Sequence, residues 1–331
     1  MQQLQTARRF RHFQDPATVA ALIAEIRARH GCAYAGLLPA ILAQIAGYFA
    51  RAFASDSPPS RFAGAGSAQV RPRLLVGLSG GIDSTVVTYL AVRAVGREAV
   101  LPVTMPARPD DDSVALAALV RQDLGFAEPD APYLIDITPV VQAHRAAMTA
   151  LAAPQVRLGG GPAPQTIEQQ MRSGNFGSRV RVAVLSDLQR AIRGRILGTV
   201  NRTEYCQGYG TKFGTPISYD FGVLDELYKE DIYALARVLG VPPAVLAAPP
   251  TTGYFAGQTH EGELGATIAE QDIFAYLLFE RHLAPAAIAR QYGASEEFAR
   301  VMLHRYTISE HKRLLNGLQE HVRVAREPLC R

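Results

Sequence analysis

The spacing of apolar residues changes several times along the chain, and each change marks an element. After Asp15-Pro16, apolar positions recur at Val19, Leu22, Ile23 and Ile26. That is one face of a helix, with the acid and the proline placed as a start signal. A second helical stretch runs from Tyr34 through Leu37, Ile41, Ile45 and Phe49, so the chain opens with a helical layer. Ser57-Pro58-Pro59-Ser60 and Gly64-Ala65-Gly66-Ser67 then break the period, and Ser55 to Arg73 reads as a flexible connection. Leu74-Leu75-Val76-Gly77-Leu78 is a continuous apolar run of strand length.

From there strands and helices alternate. Strand Ala99 to Thr104, helix Asp112 to Leu124, strand Tyr133 to Ile137 and helix Pro139 to Leu151 follow in order. Gly159-Gly160-Gly161-Pro162 precedes a long helical region from Thr166 to about Ile192, with interruptions expected near Gly174 and Gly177. Arg195 to Thr199 is the next strand, and Val200 to Phe221 lacks periodicity, the mark of a long functional loop. Helix Tyr228 to Leu239 stops at Gly240-Val241-Pro242-Pro243, and the remainder is helical apart from a polar loop, Pro249 to Gly265. Such alternation predicts an α/β protein with a doubly wound, Rossmann-like parallel sheet and ligands at the carboxyl ends of its strands. Residues 1–73 are expected to form a helical extension and linker, and 74–331 the catalytic domain.

The first strand carries the chemistry. It leads into Ser79-Gly80-Gly81-Ile82-Asp83-Ser84, a tight turn after which Ser84 is expected to cap a helix through Thr85 to Leu90. Backbone amides with no Cβ in the way, aimed by a helix N-terminus, hold phosphate. The lysine of a Walker loop is absent, which argues against a kinase-type grip on a γ-phosphate. Asp83 stands in its place, a carboxylate suited to holding Mg²⁺ beside a pyrophosphate.

Composition narrows the partners. A net charge of +4 with scattered arginines biases the protein toward anionic substrates and does not make a nucleic-acid surface. Cys32, Cys206 and Cys330 form no C-x-x-C pair, against a structural zinc or a disulfide framework. The chain has no uninterrupted run of about 18 apolar residues and no signal-peptide pattern, so a cytoplasmic protein with no membrane partner is expected. Lysine occurs only at Lys212, Lys229 and Lys312. Where arginine supplies nearly all the positive charge, a lysine marks a place for a compact ammonium.

The pattern Ser-Gly-Gly-x-Asp-Ser resembles the pyrophosphate loop of the N-type ATP pyrophosphatases, which adenylate a substrate and release pyrophosphate. Further segments, in order, resemble the ammonia-dependent NAD synthetase family over roughly Leu74 to Leu315. They are Asn175-Phe176-Gly177-Ser178-Arg179-Val180-Arg181, Leu197-Gly198-Thr199-Val200-Asn201-Arg202-Thr203-Glu204 and Gly208-Tyr209-Gly210-Thr211-Lys212-Phe213-Gly214. Leu227-Tyr228-Lys229, Pro250-Thr251, Gln258-Thr259 with Glu263-Leu264-Gly265, and Glu310-His311-Lys312-Arg313 complete the series. All three lysines fall inside these matches.

The resemblance implies ATP-dependent amidation of nicotinic acid adenine dinucleotide (deamido-NAD) by ammonia, through an acyl-adenylate. It assigns ATP to Gly77, Leu78, Ser79, Gly80, Gly81, Ile82, Asp83, Ser84, Thr199, Lys229 and Thr251. Asp83 and Glu204 would hold Mg²⁺, and with Lys229 would form the catalytic set. Arg179, Lys212, Asp220, His311 and Lys312 would contact the dinucleotide acid. A homodimer is implied too, because in that family the acid lies across a two-fold interface. No glutaminase domain precedes the loop, so ammonia would come from solution or from a separate glutaminase.

Departures concentrate on the acid side. The family commonly reads Lys-Tyr-Gly-Asp-Gly where this chain has Lys212-Phe213-Gly214-Thr215-Pro216, and His260 and Glu226 stand where the family has Asp. The competing readings are amidation of a different carboxylate and a non-catalytic ATP-binding module. Asp110-Asp111-Asp112 reads as helix-capping acids rather than a metal cluster.

Overall fold

The computed structural model describes residues 11–31, 33–54, 72–108, 111, 113–126, 133–150, 166–215, 217–254, 257–316 and 320–321. Most of the 55–73 connection, the 159–162 glycines, Asp110, Asp112, Pro216, Cys32 and Cys330 lie outside them.

Helix α1 (Pro16–Ala28) starts where the Asp15 carboxylate accepts the Ala17 and Thr18 amides at 2.9 and 3.2 Å. Helix α2 (Tyr34–Phe53) follows. Strands β1 (Leu74–Gly77), β2 (Val100–Val103), β3 (Arg195–Gly198), β4 (Phe221–Gly222) and β5 (Glu320–His321) make a wholly parallel sheet in the order β2-β1-β3-β4-β5. Leu74 of β1 pairs with both Val100 and Arg195, so winding reverses at β1. The crevice above β1 and β3 is where such a sheet takes its ligand.

Helices cover both faces, as the period-two alternation along a strand requires. Leu74 and Val76 face a cluster with Leu37, Ile41 and Ile45 of α2, Val86 and Leu90 of α3 (Ile82–Val95), and Ile232 and Leu235 of α8 (Lys229–Leu239). Leu75, Leu101 and Val103 face the other way, onto Val141 of α5 (Thr138–Ala150) and Leu185 of α6 (Ile167–Ala191). Helix α4 (Ser113–Asp123) lies against the first layer through Ala117 and Val120. A third cluster joins Leu22 and Ile26 of α1 to Ile273 and Phe274 of α11 (Ile268–Phe279) and Met302 of α13 (Glu296–Ile308). Short helices α7 (Arg202–Gln207), α9 (Pro243–Ala247), α10 (His260–Leu264), α12 (Pro285–Tyr292) and α14 (Glu310–Asn316) fill the loops between.

Several expectations change. Helix α3 is capped by Gly81 rather than Ser84, whose hydroxyl instead accepts the Ser79 amide and donates to the Gly81 carbonyl, both at 3.1 Å. Tyr133 to Ile137 is not a regular strand; it makes one parallel bridge, Thr104 to Leu134, past the end of β2. Helix α6 runs unbroken through Gly174 and Gly177. These glycines serve close packing, since a Cβ on Gly174 would lie 2.2 Å from the Tyr254 ring. The 200–221 loop holds α7, and β5 was not anticipated. Helix α2 is long and apolar enough to cross a bilayer by length and composition alone, although Gln44 and Arg51 interrupt its apolar residues. Its Leu37, Ile41, Ile45 and Tyr48 are buried against the sheet layer instead.

Gly80 decides the shape of the β1–α3 turn, with φ at +83° and room for no side chain: a Cβ would sit 2.5 Å from the Ser113 carbonyl oxygen and 2.8 Å from the Ala117 nitrogen. Gly80→Ala is expected to lower stability by about 1–3 kcal/mol in urea titration, because backbone must move to admit the methyl.

Candidate active site

Three helix starts converge at the carboxyl ends of β1 and β3. The first is α3, whose leading amides from Ile82 to Ser84 fall before the helical ladder begins and face outward as donors. It also carries Asp83 in its first turn. The second is α7, begun by a capping box: Asn201 Oδ1 accepts the Glu204 amide at 2.9 Å, and Glu204 Oε2 accepts the Asn201 amide at 3.3 Å. The third is α8, whose first residue is Lys229.

Their side chains meet. Lys229 Nζ donates to Asp83 Oδ2 and lies 3.9 Å from Glu204 Oε1, while Asn201 Nδ2 donates to Asp83 Oδ1 at 2.9 Å. Burial alone would favour a neutral Lys229 amine, but Asp83 and Glu204 together raise its pKa and keep it an ammonium. One cation does not balance two carboxylates out of water. Burial, reinforced by the Asp83 charge and opposed by Lys229, pushes the Glu204 carboxyl up to about 8. His260 Nδ1 lies 4.0 Å from Glu204 Oε1, and the ring packs edge-on against Tyr209 with centroids 4.7 Å apart. Burial, together with the Lys229 charge, holds its pKa at about 3, so the imidazole is neutral. A small cavity of about 10 Å³ opens here, lined by Asn201, Glu204, Gln207, Lys229, His260 and Gln271. The larger cavity of about 440 Å³, lined by Arg190, Arg193 and Arg195, lies at the amino end of β3, away from this cluster.

Beneath the cluster, Asp272 of α11 ties α7 to α8. Fully buried, it accepts the Thr203 hydroxyl and the Glu230 amide, the latter at 2.8 Å, and the same Thr203 oxygen accepts the Lys229 amide at 3.0 Å. Sequence reasoning assigned no role to Asn201, Thr203 or Asp272. The Asn201-x-x-Glu204 spacing was a readable capping box. Asp272 offered one signal, a carboxylate among Ile268, Ile273, Phe274 and Tyr276.

Thus Asp83, Glu204 and Lys229 come together beside the Ser79 to Ser84 turn. Thr199 lies one residue past β3, at the same end. Thr251 is exposed, with its hydroxyl accepting the Gly253 amide at 3.0 Å. The dinucleotide-acid set is scattered. Arg179, exposed on α6, donates to the Lys212 carbonyl at 3.1 Å, and Lys212 Nζ lies 5.2 Å from the centre of the Phe213 ring. Lys312 Nζ holds the carbonyls of Gly208 and Gly210 at 2.7 and 2.8 Å, and His311 is exposed. Asp220 accepts the Ile196 amide at 2.8 Å and Gln189 Nε2 at 2.7 Å, which places its carboxylate at the amino ends of β3 and β4 and not with the cluster. In the altered loop, the Ser178 hydroxyl donates to the Thr215 carbonyl at 2.7 Å. Asp111 accepts the Ser113 amide at 3.3 Å, the capping behaviour expected at that helix start.

An anion turn, a carboxylate pair and a buried lysine at the switch point of a parallel sheet define an α/β nucleotide-binding protein. Residues 67–316 match the NAD synthase family. The NH(3)-dependent NAD(+) synthetase of Pyrococcus furiosus is 32% identical over 242 residues, covering 73% of this chain and 86% of that one. The protein of the same name from Hyperthermus butylicus is 37% identical over 245 residues, covering 73% and 81%. The chain belongs to the NAD synthase family and is a ligase that uses ATP. In fold it is similar to an NMN synthetase from Francisella tularensis (TM-score 0.61, 23% identity, 83% of this chain and 95% of that one). It is also similar to a NAD+ synthetase from Burkholderia pseudomallei (TM-score 0.56, 24% identity, 90% and 96%).

A carboxyl raised by folding keeps its proton in the native state after the unfolded chain has lost it, so Glu204 lowers stability as pH rises from about 4.5 to about 8. Without nucleotide or divalent metal, thermal melts from pH 5 to 8 should show a smaller loss in Glu204→Gln than in the parent protein.

Proposed function

We propose that the protein makes NAD from nicotinic acid adenine dinucleotide, ATP and ammonia, releasing AMP and pyrophosphate. The observation that carries the reading is the Asp83–Lys229–Glu204 cluster at the mouth of the glycine turn. The carboxylate of the acid attacks the α-phosphorus of ATP, and pyrophosphate leaves; ammonia then attacks the acyl carbon, and AMP leaves. Neither step needs a protein nucleophile, so the work is charge stabilisation and positioning. The amides at the start of α3 receive phosphate oxygens. Lys229 neutralises charge as pyrophosphate departs.

Asp83 and a Glu204 carboxyl that would trade its proton for a cation share one ammonium and offer the oxygen donors that suit Mg²⁺. Asp83 and Glu204 would hold it, and the ion would supply positive charge at the pyrophosphate. The assignments of Thr199 and Thr251 to ATP, and of Arg179, Lys212, Asp220, His311 and Lys312 to the acid, rest on motif resemblance. The 1–73 and 74–331 division likewise rests on sequence, and both helices of the extension pack into the body. A homodimer is supported by exposed Leu134, Val140 and Ile167 on or beside the paired helices α5 and α6. A free, buried Cys206 thiol fits a reducing cytoplasm.

Ammonium salts with ATP, Mg²⁺ and nicotinic acid adenine dinucleotide should yield NAD, whereas glutamine alone should not. The rate should climb with pH as NH₃ replaces NH₄⁺, because only the neutral form carries the attacking lone pair. Nicotinic acid mononucleotide belongs in the same ATP–pyrophosphate exchange assay, given the fold likeness to an NMN synthetase; exchange with it alone would replace the dinucleotide as substrate. Asp83→Asn and Glu204→Gln should each lower turnover by at least ~10²-fold, with partial recovery at high Mg²⁺. Light scattering at micromolar protein should give twice the chain mass, and a monomer would overturn the dimer.

A further inference from the structure

The first 53 residues lie outside the part of the chain that matches the family, yet their α1–α2 connection reaches α8 at its buried first turn. We propose that Arg29 and Tyr34 are positioning residues for Lys229, acting through Asp231. The proposal rests on the role given to Lys229 above.

Asp231 is fully buried two residues after Lys229, a spacing that puts the two side chains on different sides of α8. Its own helix asks little of it beyond accepting the Tyr228 amide at 2.8 Å. The remaining donors come from the extension. Arg29 Nη2 donates to Oδ2 and the Tyr34 hydroxyl to Oδ1, each at 2.6 Å, and His30 Nε2 lies 3.3 Å from Oδ1. Burial alone would raise the Asp231 carboxyl, but Arg29, His30 and Tyr34 hold it below its ordinary range.

The grip extends to the residues flanking Lys229. Arg29 also donates to the Glu226 carbonyl at 3.2 Å, its guanidinium lies 4.5 Å over the Tyr228 ring, and Arg27 pairs with Glu230 at 2.8 Å. Residues 226–231 are therefore held from the extension on one side and by Asp272 and Thr203 on the other. Lys229 Nζ must meet two carboxylates on different elements, and a displacement of about 1 Å at such a group costs on the order of 10²-fold in rate. A segment that supplies two guanidiniums and a hydroxyl to this one turn limits that displacement. Plain docking of the extension is served elsewhere, by Glu25 with Tyr276 and Arg281 and by the α1–α11 apolar contact.

The test compares Arg29→Gln and Tyr34→Phe with Glu25→Gln in full-length enzyme, measuring kcat and KM in ATP–pyrophosphate exchange well below every melting temperature. Arg29→Gln should lower kcat about tenfold and Tyr34→Phe by about threefold or more, with KM for the acid nearly unchanged. Glu25→Gln should lower the melting temperature and leave kcat near the parent value. Unchanged kcat in both Asp231-facing variants, or an equal kcat loss in Glu25→Gln, would overturn the proposal. Should Arg29→Gln fail to fold, Tyr34→Phe decides, because it removes one oxygen. Lys229→Met separates the two levels: retained exchange there removes the assigned role of Lys229, whereas an inactive Lys229→Met beside a normal Arg29→Gln removes only the brace.

Discussion

Two carboxylates and one ammonium occupy a space largely closed to water, and the rest of the structure works to keep them there. Removing such charges from solvent costs several kcal/mol per ion, and mutual attraction repays it only when geometry is good and the leftover hydrogen-bonding capacity is used. Asn201 uses it, its side chain donating to Asp83 and its backbone amide to Glu204 Oε2. The repayment is incomplete, which is why Glu204 is pushed toward its protonated form. A buried carboxyl held protonated in this way is a poor way to stabilise a fold, and it is ready to exchange its proton for a divalent cation that would carry polyphosphate with it.

Helix ends explain how three distant pieces of chain reach one point. Each catalytic candidate sits in the first turn of its helix, where backbone amides lack intrahelical partners and the dipole is positive. Those ends must themselves be anchored. Asp272 anchors α7 and α8 together from the C-terminal region, and Asp231 anchors α8 from the N-terminal region. Both anchors are fully buried carboxylates satisfied by donors from other elements, so the site draws on the whole length of the chain.

The scarcity of lysine proved informative in two of three cases. Lys229 places a compact charge between two carboxylates, and Lys312 straps two carbonyls of the loop after α7, with burial lowering its pKa. A planar guanidinium fits neither place as well. Lys212 leans over exposed Phe213, in the stretch where this chain departs from the family pattern, and shows no comparable constraint.

The sequence by itself determined the parallel α/β plan and the strand–turn–helix start at Ser79 to Ser84, and it named Asp83, Glu204 and Lys229 as candidates. Each is encoded locally, by an apolar run, by glycines that permit a turn, or by a short ordered motif. Tertiary structure alone decided what required distant chain to meet. Gly174 and Gly177 read as breaks because a lone glycine looks the same whether it ends a helix or admits a neighbour; only the Tyr254 ring over Gly174 separates the two. Tyr133 to Ile137 had strand composition but found a partner at one bridge only. Asp220 lay inside a motif-rich loop, yet the β3 amide claimed its carboxylate. Asp231 and Asp272 were unreadable as supports because their donors lie about 200 and 70 residues away, and long-range pairing leaves no period in a sequence.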